Sequence, residues 1–245
     1  MKLKVLDLFS GIGGFSLGLE RTGGFETVAF CEIDGFCRKV LAKHWPTVPS
    51  DADITSREFK PAEADVIVGG FPCQDISHAG ERAGITGSRS GLWGHLLRAI
   101  RMVRPKYAVV ENVAALLSRG LGTVLGDLAQ CGYDAEWDCV GADQVGASQH
   151  RERVWILAHP HDARLQGPIW AGQSHAPRTE WQSSYREPLR SDCGYWPPGP
   201  REVANIPRMA DGPANRAHRL RALGNAVVPQ IPELIGRAIL EARAA

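Results

Sequence analysis

A cysteine stands where a buried strand should end and a glycine-rich loop should begin. Cys73 follows the apolar run 66–68 and the residues Gly69-Gly70-Phe71-Pro72. In open α/β sheets, ligands bind outside the carboxyl ends of the strands, so a thiol at this point could act on a ligand. As a thiolate it would be a nucleophile that forms a covalent intermediate. This position outweighs the usual interpretation of a single cysteine as a small buried hydrophobe.

Two other strand ends carry groups that could assist such a nucleophile. The run 107–110 ends at Glu111, and Arg151 and Arg153 precede the apolar run 154–158. Nearby guanidiniums lower the pKa of a thiol, which raises its thiolate fraction. Burial beside an apolar strand raises the pKa of a carboxyl group, so Glu111 could carry a proton at neutral pH. We therefore expect nucleophile, acid and paired guanidiniums to meet at one site.

A glycine turn follows the first predicted strand. Gly11, Gly13 and Gly14 lead into a helix, and Glu32 closes the second strand. Exposed amides at a helix N-terminus attract an anionic group, and an acid at the second strand can accept hydrogen bonds from both ribose hydroxyls. The ligand indicated is a nucleoside with an anionic appendage. The glycine spacing departs from Gly-x-Gly-x-x-Gly, which disfavours a nicotinamide-dependent oxidoreductase.

Strand and helix patterns alternate along most of the chain. Apolar runs predict strands, and apolar residues at helical spacing predict helices between several of them, which favours a mainly parallel sheet flanked by helices. The predicted strands are 4–9, 27–31, 66–69, 107–110, 136–140 and 154–158, and the predicted helices are 15–21, 36–44, 92–103, 121–130, 217–223 and 233–242. Residues 159–211 are rich in Pro, Gly, Ser, Arg and Trp and show no periodicity.

Composition favours one main domain. The chain has 245 residues, of which 44% are hydrophobic, enough for one substantial core. No run approaches the roughly 18 apolar residues of a membrane span, and the first residues read as a core strand and not as a signal peptide. We expect a cytoplasmic protein without membrane contact. The six cysteines have no zinc-site spacing, so we expect reduced thiols and no metal.

Positive charge is concentrated in the later half of the sequence. Residues 1–150 contain 15 basic and 18 acidic residues, whereas residues 151–221 contain 11 basic and 7 acidic residues, and all 11 are arginine. Arginine suits bidentate contacts to phosphate and guanine, so this segment could face DNA. A solvated arginine-rich surface remains the alternative.

These blocks resemble, in order and in wording, the cytosine-5 DNA methyltransferase family of bacterial or phage type. The resemblance rests on Asp7–Gly14, Phe-Pro-Cys-Gln at 71–74, Glu-Asn-Val at 111–113, Gln-His-Arg-Glu-Arg at 149–153 and Gly-Asn-Ala-Val-Val-Pro at 224–229. It implies a Rossmann-like α/β methyltransferase fold. It also implies methyl transfer from S-adenosylmethionine to carbon 5 of a flipped cytosine in duplex DNA, through a covalent cysteine adduct, in restriction-modification or phage DNA protection.

The same resemblance implies a role for individual residues. The catalytic set would be Cys73, Glu111, Arg151 and Arg153. The cofactor-binding set would be Phe9, Gly11, Ile12, Gly14, Glu32, Ile33, Asp53, Ile54, Pro72, Leu92, Asn225 and Ala226, and the DNA-binding set Gln74, Ser77, Arg82, Arg89 and Gln149. Many relatives have an aromatic residue where this chain has Ile33, so adenine would pack on an aliphatic side chain.

The resemblance also divides the chain into segments. Residues 1–158 would form the catalytic and cofactor-binding domain, 159–211 a short target-recognition segment, and 212–245 the C-terminal return to the catalytic domain. The shortness of the recognition segment is the main departure from the family pattern. We expect a monomer, and the setting is compatible with a companion restriction endonuclease. Two alternatives stay open, namely methylation of RNA by the same chemistry and a noncatalytic DNA-binding relative.

Overall fold

Seven strands form one sheet in the computed structural model, which describes residues 1–72, 91–147, 150–163 and 216–244. The strands are β1 (Leu3–Leu8), β2 (Phe25–Cys31), β3 (Ser50–Asp51), β4 (Val66–Gly70), β5 (Tyr107–Val113), β6 (Tyr133–Gly141) and β7 (Glu152–Pro160). Their order across the sheet is β3-β2-β1-β4-β5-β7-β6. The pairings from β3 to β5 are parallel, and β7 is antiparallel to both β5 and β6.

Helices cover both faces of this sheet. They are α1 (Gly14–Arg21), α2 (Gly35–His44), α3 (Gly91–Val103), α4 (Leu116–Arg119), α5 (Leu121–Gln130), α6 (Arg216–Asn225) and α7 (Gln230–Ala244), with a 3-10 turn over Ala142–Val145. Within the described ranges, no helix combines the length and the apolar character needed to cross a bilayer.

The sheet separates two hydrophobic cores. On one face, α3 and α5 bury residues such as Leu96, Ile100 and Leu128 against Ile67 and Val110. On the other face, α1 and α7 pack against the side chains that point the opposite way from the same strands, including Val5, Val66 and Val109. Because successive strand residues face opposite sides, a central strand covered on both faces must be apolar throughout.

The predicted fold class is confirmed, with differences at the sheet edges. Only ten residues separate β6 from β7, too few for a parallel crossover, so the two strands form an antiparallel pair. The predicted strand 136–140 is too short, since β6 covers Tyr133–Gly141, and the predicted strand 154–158 is too short as well, since β7 covers Glu152–Pro160. Strand β3 and helix α4 were not predicted because two and four residues carry no readable period.

The strand order places a crevice between β1 and β4. Strand β1 pairs with β2 on one side and with β4 on the other, so the chain leaves neighbouring strands in opposite directions. At such a switch point the connections diverge and leave room outside the carboxyl ends of the strands. The predicted site residues that follow β1, β2, β4 and β5 are therefore brought to one edge of the sheet.

Helix α7 packs against α1 through a close backbone approach at Gly18. A Cβ atom built on Gly18 would lie 2.1 Å from the carbonyl oxygen of Pro229 and 2.9 Å from the Cβ of Pro232. Gly14 allows a similar approach at the start of α1, where a Cβ would lie 2.5 Å from the carbonyl oxygen of Val227. These glycines let the C-terminal segment dock beside the first strand.

We predict that Gly18→Ala destabilises the protein by about 1–3 kcal/mol, the usual cost of overpacking a close contact. Gly126→Ala is the matched control, because Gly126 also lies in a helix but a Cβ there meets nothing within 4 Å. It should stabilise by up to about 1 kcal/mol through helix propensity. Denaturant unfolding measures both variants, and equal midpoints would contradict the close approach.

Candidate active site

A cavity of about 500 Å³ lies outside the carboxyl ends of β1, β2, β4 and β5. Its volume lies within the range of small-molecule sites. Most of the predicted residues that fall in the described ranges line it, namely Phe9, Gly11, Glu32, Ile33, Asp53, Ile54, Pro72, Leu92, Glu111, Arg151, Arg153 and Asn225. The structure thus brings together the predicted cofactor-binding side and the predicted catalytic side of one site.

The other predicted residues fall into two groups. Ile12, Gly14 and Ala226 are described but are not among the lining residues, and Gly14 instead contacts the segment at Val227. Cys73, Gln74, Ser77, Arg82, Arg89 and Gln149 lie outside the described residues. Their roles stay predictions. The chain reaches Cys73 directly after Pro72, which lines the cavity.

Left-handed backbone angles and hydrogen bonds of Ser10 fix the conformation of the glycine turn after β1. Phe9, Gly11 and Gly13 have φ angles of 55°, 54° and 86°, in the left-handed region. The Ser10 hydroxyl donates to the carbonyl oxygen of Asp7 at 2.6 Å and accepts from the amide of Cys31 at 3.2 Å. This places the turn against β2 and leaves open space where a Cβ of Gly11 would be.

The Glu32 carboxylate ties this turn to the start of α2. Its Oε2 accepts a hydrogen bond from the Gly11 amide at 2.7 Å, and its Oε1 accepts one from the Asp34 amide at 2.8 Å. Each carboxylate oxygen can accept a further hydrogen bond. The geometry therefore fixes the side chain while leaving acceptor sites for ligand hydroxyls.

One wall of the cavity comes from the loop after β3. Ile54 is buried, and Asp53 accepts a hydrogen bond from the Thr55 amide at 2.8 Å. Arg98 of α3 holds this loop, because its guanidinium donates to the carbonyl oxygens of Ile54 at 2.8 Å and Arg57 at 3.1 Å. Sequence reasoning did not assign this role to Arg98, since it depends on packing between distant segments.

Glu111 and Arg153 form an ion pair at the opposite wall. The Nε of Arg153 lies 3.0 Å from Oε1 of Glu111, and the two side chains are 23% and 13% exposed. The antiparallel register sets Arg153 opposite Val113. Val113 and Glu111 are two residues apart on β5 and share a face of the sheet, so Arg153 lies on the face of Glu111. Gly70 makes room for the carboxyl, because a Cβ there would lie 2.8 Å from Oε2 of Glu111.

Burial controls the protonation of this pair. Burial raises the pKa of Glu111, and the positive charges of Arg153 and Arg151 act against that rise. Burial also lowers the pKa of Arg151, helped by repulsion from Arg153. A guanidinium nevertheless stays charged at neutral pH. The wall can therefore present a carboxyl able to hold a proton beside two permanent cations.

Asn112 links this wall to the segment that leads to Cys73. Its side-chain amide donates to the carbonyl oxygen of Phe71 at 3.2 Å, and its Oδ1 accepts from the Val113 amide at 2.8 Å. Asn112 is only 2% exposed. Its contact is with Phe71, two residues before Cys73, and no pattern in the sequence indicated it.

Helix α6 closes the cavity from the C-terminal end of the chain. His218, Arg221, Ala222 and Asn225 all line it. Only Asn225 was predicted. The four positions follow the i, i+3, i+4, i+7 spacing of one helix face, and this spacing was the signal in the sequence that could have identified the other three.

A buried carboxyl lies beneath the glycine turn. Asp7 is 0% exposed; its Oδ2 accepts a hydrogen bond from the Ser16 hydroxyl at 2.7 Å, and its Oδ1 has no hydrogen-bond partner among the described residues. Burial raises the pKa of Asp7 to about 7, although hydrogen bonds from Ser16 oppose the rise. The sequence pattern indicated Asp7 only as the start of a motif.

Comparison with known proteins adds independent information. The sequence profile of the C-5 cytosine-specific DNA methylase family matches residues 3–211. The chain is 40% identical over 164 residues to the type II methyltransferase M2.BsuMI of Bacillus subtilis, covering 64% of this chain and 42% of the relative. It is 37% identical over 163 residues to the type II methyltransferase M.HgiCII of Herpetosiphon aurantiacus, covering 64% of this chain and 37% of the relative.

A solved structure supports the fold. Methyltransferase EhMeth of Entamoeba histolytica superposes with a TM-score of 0.57 at 19% identity, covering 68% of this chain and 56% of that protein. At this identity the likeness concerns the fold alone. The chain spans less than half the length of the two sequence relatives described above.

We predict that Asp7 makes stability depend on pH. Its pKa of about 7 lies above the unfolded value of about 3.9, so the folded state favours the protonated form. The resulting stabilisation is present below about pH 4 and is lost as pH rises to about 7. Asp7→Asn should remove this loss, on the order of 4 kcal/mol, because each pKa unit corresponds to about 1.4 kcal/mol.

Urea unfolding of both proteins between pH 4 and 8 tests this prediction. The exposed Asp162 provides the control, because Asp162→Asn should leave the pH profile of wild type unchanged. Parallel profiles for wild type and Asp7→Asn would contradict it.

Proposed function

The chain belongs to the C-5 cytosine-specific DNA methylase family, and on this premise we propose that it transfers a methyl group from S-adenosylmethionine to carbon 5 of cytosine in duplex DNA. The observation that carries the proposal is the Glu111–Arg153 ion pair, which faces the same cavity as the Glu32 carboxylate and the glycine turn. The side that would bind a nucleoside and the side that would donate a proton share one cavity, as this reaction requires.

The residues present fit the cofactor. The family uses S-adenosylmethionine as methyl donor, and this molecule supplies an activated methyl group on a sulfonium. Glu32 would accept hydrogen bonds from the ribose, and the open turn at Gly11 would accommodate the methionine portion. Ile33 is 77% exposed although it lines the cavity, so an apolar surface is available for the adenine.

Cys73 would act on the cytosine. Carbon 5 of cytosine is a poor nucleophile, but a thiolate that bonds to carbon 6 pushes electrons into the ring and makes carbon 5 nucleophilic. After methylation, loss of the carbon 5 proton to a base expels the thiolate and restores the double bond. The reaction thereby regenerates the enzyme.

Glu111 and the two arginines would assist this addition. Electron density that moves toward ring nitrogen 3 is neutralised by a proton or a strong hydrogen bond, which a protonated Glu111 can donate. The Arg153 side chain holds Glu111 in place at 3.0 Å. The positive charges of Arg151 and Arg153 would also favour the thiolate form of Cys73.

The DNA contacts complete the proposal. A paired cytosine hides carbon 6, so the base must be extruded from the duplex. Gln74, Ser77, Arg82, Arg89 and Gln149 would grip the DNA, and residues 159–211 would supply the short recognition segment between the catalytic domain (1–158) and its C-terminal return (212–245). We further propose a monomer that acts in the cytoplasm, in a restriction-modification or phage-protection setting with a restriction endonuclease as companion.

We predict that Cys73→Ala abolishes methyl transfer from labelled S-adenosylmethionine to mixed-sequence duplex DNA, while cofactor affinity stays within about twofold of wild type. The reason is that the thiol forms the bond to cytosine and does not hold the cofactor. With wild type, a duplex containing 5-fluorocytosine should give a covalent complex, because fluorine at carbon 5 cannot leave as a proton.

Cys139→Ala is the matched control, since this half-buried cysteine on β6 does not line the cavity. It should retain transfer and adduct formation. Undiminished turnover by Cys73→Ala would eliminate the proposed nucleophile, and transfer to tRNA but not to duplex DNA would assign the chemistry to RNA.

We predict that Glu111→Gln lowers kcat by about 100-fold or more, the usual contribution of a positioned general acid, with little change in DNA affinity. Burial raises the pKa of Glu111, and its protonated fraction is lost as pH rises through that value. The alkaline decline of the wild-type rate should therefore be weaker in the variant.

Glu241→Gln on the exposed side of α7 is the charge-matched control and should behave as wild type. The pH–rate profiles of the three proteins, measured under single-turnover conditions, provide the readout. A Glu111→Gln variant with the wild-type rate and pH profile would remove Glu111 from the mechanism.

A further inference from the structure

The cavity wall beside Glu32 leaves an apolar side chain uncovered. Ile33 follows the carboxylate that would hold the ribose and is 77% exposed. An aliphatic side chain offers dispersion contact to a purine but no aromatic face. A nucleoside site that lacks an aromatic ring at this point gains from a ring supplied by another element.

Helix α6 brings such a ring to the cavity. Among the described residues that line it, the aromatic side chains are Phe9, Phe71 and His218. Phe71 is buried and packs against Trp93 at a centroid distance of 5.4 Å, and Phe9 belongs to the glycine turn. His218 is the exposed ring of the three.

The His218 ring is positioned by a second ring behind it. It stacks on Phe36 of α2 with a centroid distance of 6.0 Å and an interplanar angle of 23°. Phe36 is itself fixed at the start of its helix, because Oδ1 of Asp34 accepts hydrogen bonds from the amides of Phe36 at 2.8 Å and Cys37 at 3.0 Å. Phe36 therefore covers one imidazole face of a ring that is exposed and lines the cavity.

We propose that His218 contacts the adenine of S-adenosylmethionine and supplies the aromatic face that Ile33 does not, with Phe36 as its positioning residue. The inference rests on the proposed function, since it names a further binding residue of the same cofactor site. It also assigns helix α6 a direct role in cofactor binding through a residue other than Asn225.

Calorimetric titration with S-adenosylhomocysteine tests this inference without turnover. His218→Ala should weaken binding by about fivefold to tenfold, the effect of losing one stacking partner, whereas His218→Phe should stay within about twofold of wild type. His161→Ala is the matched control, because His161 pairs with Asp134 away from the cavity and should leave affinity unchanged. Phe36→Ala should reproduce a fraction of the His218→Ala loss.

Two further measurements identify which portion of the ligand His218 contacts. Adenosine alone should also bind His218→Ala more weakly, because the lost contact is with the base. Ile33→Trp in the His218→Ala background should recover affinity, since an indole at the exposed Ile33 position would provide the missing ring.

Wild-type affinity of His218→Ala for S-adenosylhomocysteine would overturn the inference. If His218→Ala bound duplex DNA more weakly but the cofactor normally, the inference would also be overturned, because His218 would then contact DNA. Loss of S-adenosylhomocysteine affinity without loss of adenosine affinity would overturn it too. These results differ from failure of the proposed function, which would appear as absence of cofactor binding and of methyl transfer in the wild type.

Discussion

The carboxyl of Glu111 occupies a position that the surrounding sheet makes costly for a charge. Its side chain is 13% exposed near the carboxyl end of β5, and the guanidinium 3.0 Å away, the charge of Arg151 and the absence of a side chain on Gly70 make the position tenable. Burying an unpaired carboxylate costs several kcal/mol, so the group must be paired, protonated or both. The antiparallel pairing of β7 with β5 meets this constraint, because its register sets Arg153 on the face of Glu111.

Helix α6, near the C-terminal end of the chain, lines a cavity whose other walls come from earlier in the chain. Gly14 and Gly18 allow the segment around Val227 and Pro229 to approach the backbone of α1 closely. This segment follows α6 directly, so its docking helps to position α6 against the cavity. Steric constraints on α1 therefore determine whether Arg221 and Asn225 reach the site. Close backbone contacts on α1 thus help to decide the shape of a cavity formed by two distant stretches of the chain.

The sequence was sufficient for the groups that end strands and insufficient for the contacts between elements. Glu111 and Glu32 were predictable because apolar runs show where strands stop, and parallel strands bring their carboxyl ends to one edge. Arg151 precedes β7 and reaches the same edge because β7 is antiparallel to β5. Arg98 donates a hydrogen bond to the carbonyl oxygen of Ile54, and Asn112 donates one to that of Phe71. Both contacts depend on which distant segments pack together, and no local sequence pattern encodes this. Strand β3, with two residues, has no period to read.

Charge is divided along the cavity in a way that suits two ligands of opposite sign. Glu32, Asp34 and Asp53 lie on one side, and Arg151 and Arg153 lie on the other. Glu32, Arg151 and Arg153 are partly buried and are screened less by salt than the exposed Asp53, so the two sides keep distinct potentials. A cation such as a sulfonium gains near the carboxylates, whereas a phosphate or a thiolate gains near the guanidiniums. Since Glu111 belongs to the arginine side, its two cationic neighbours limit the rise of its pKa that burial causes.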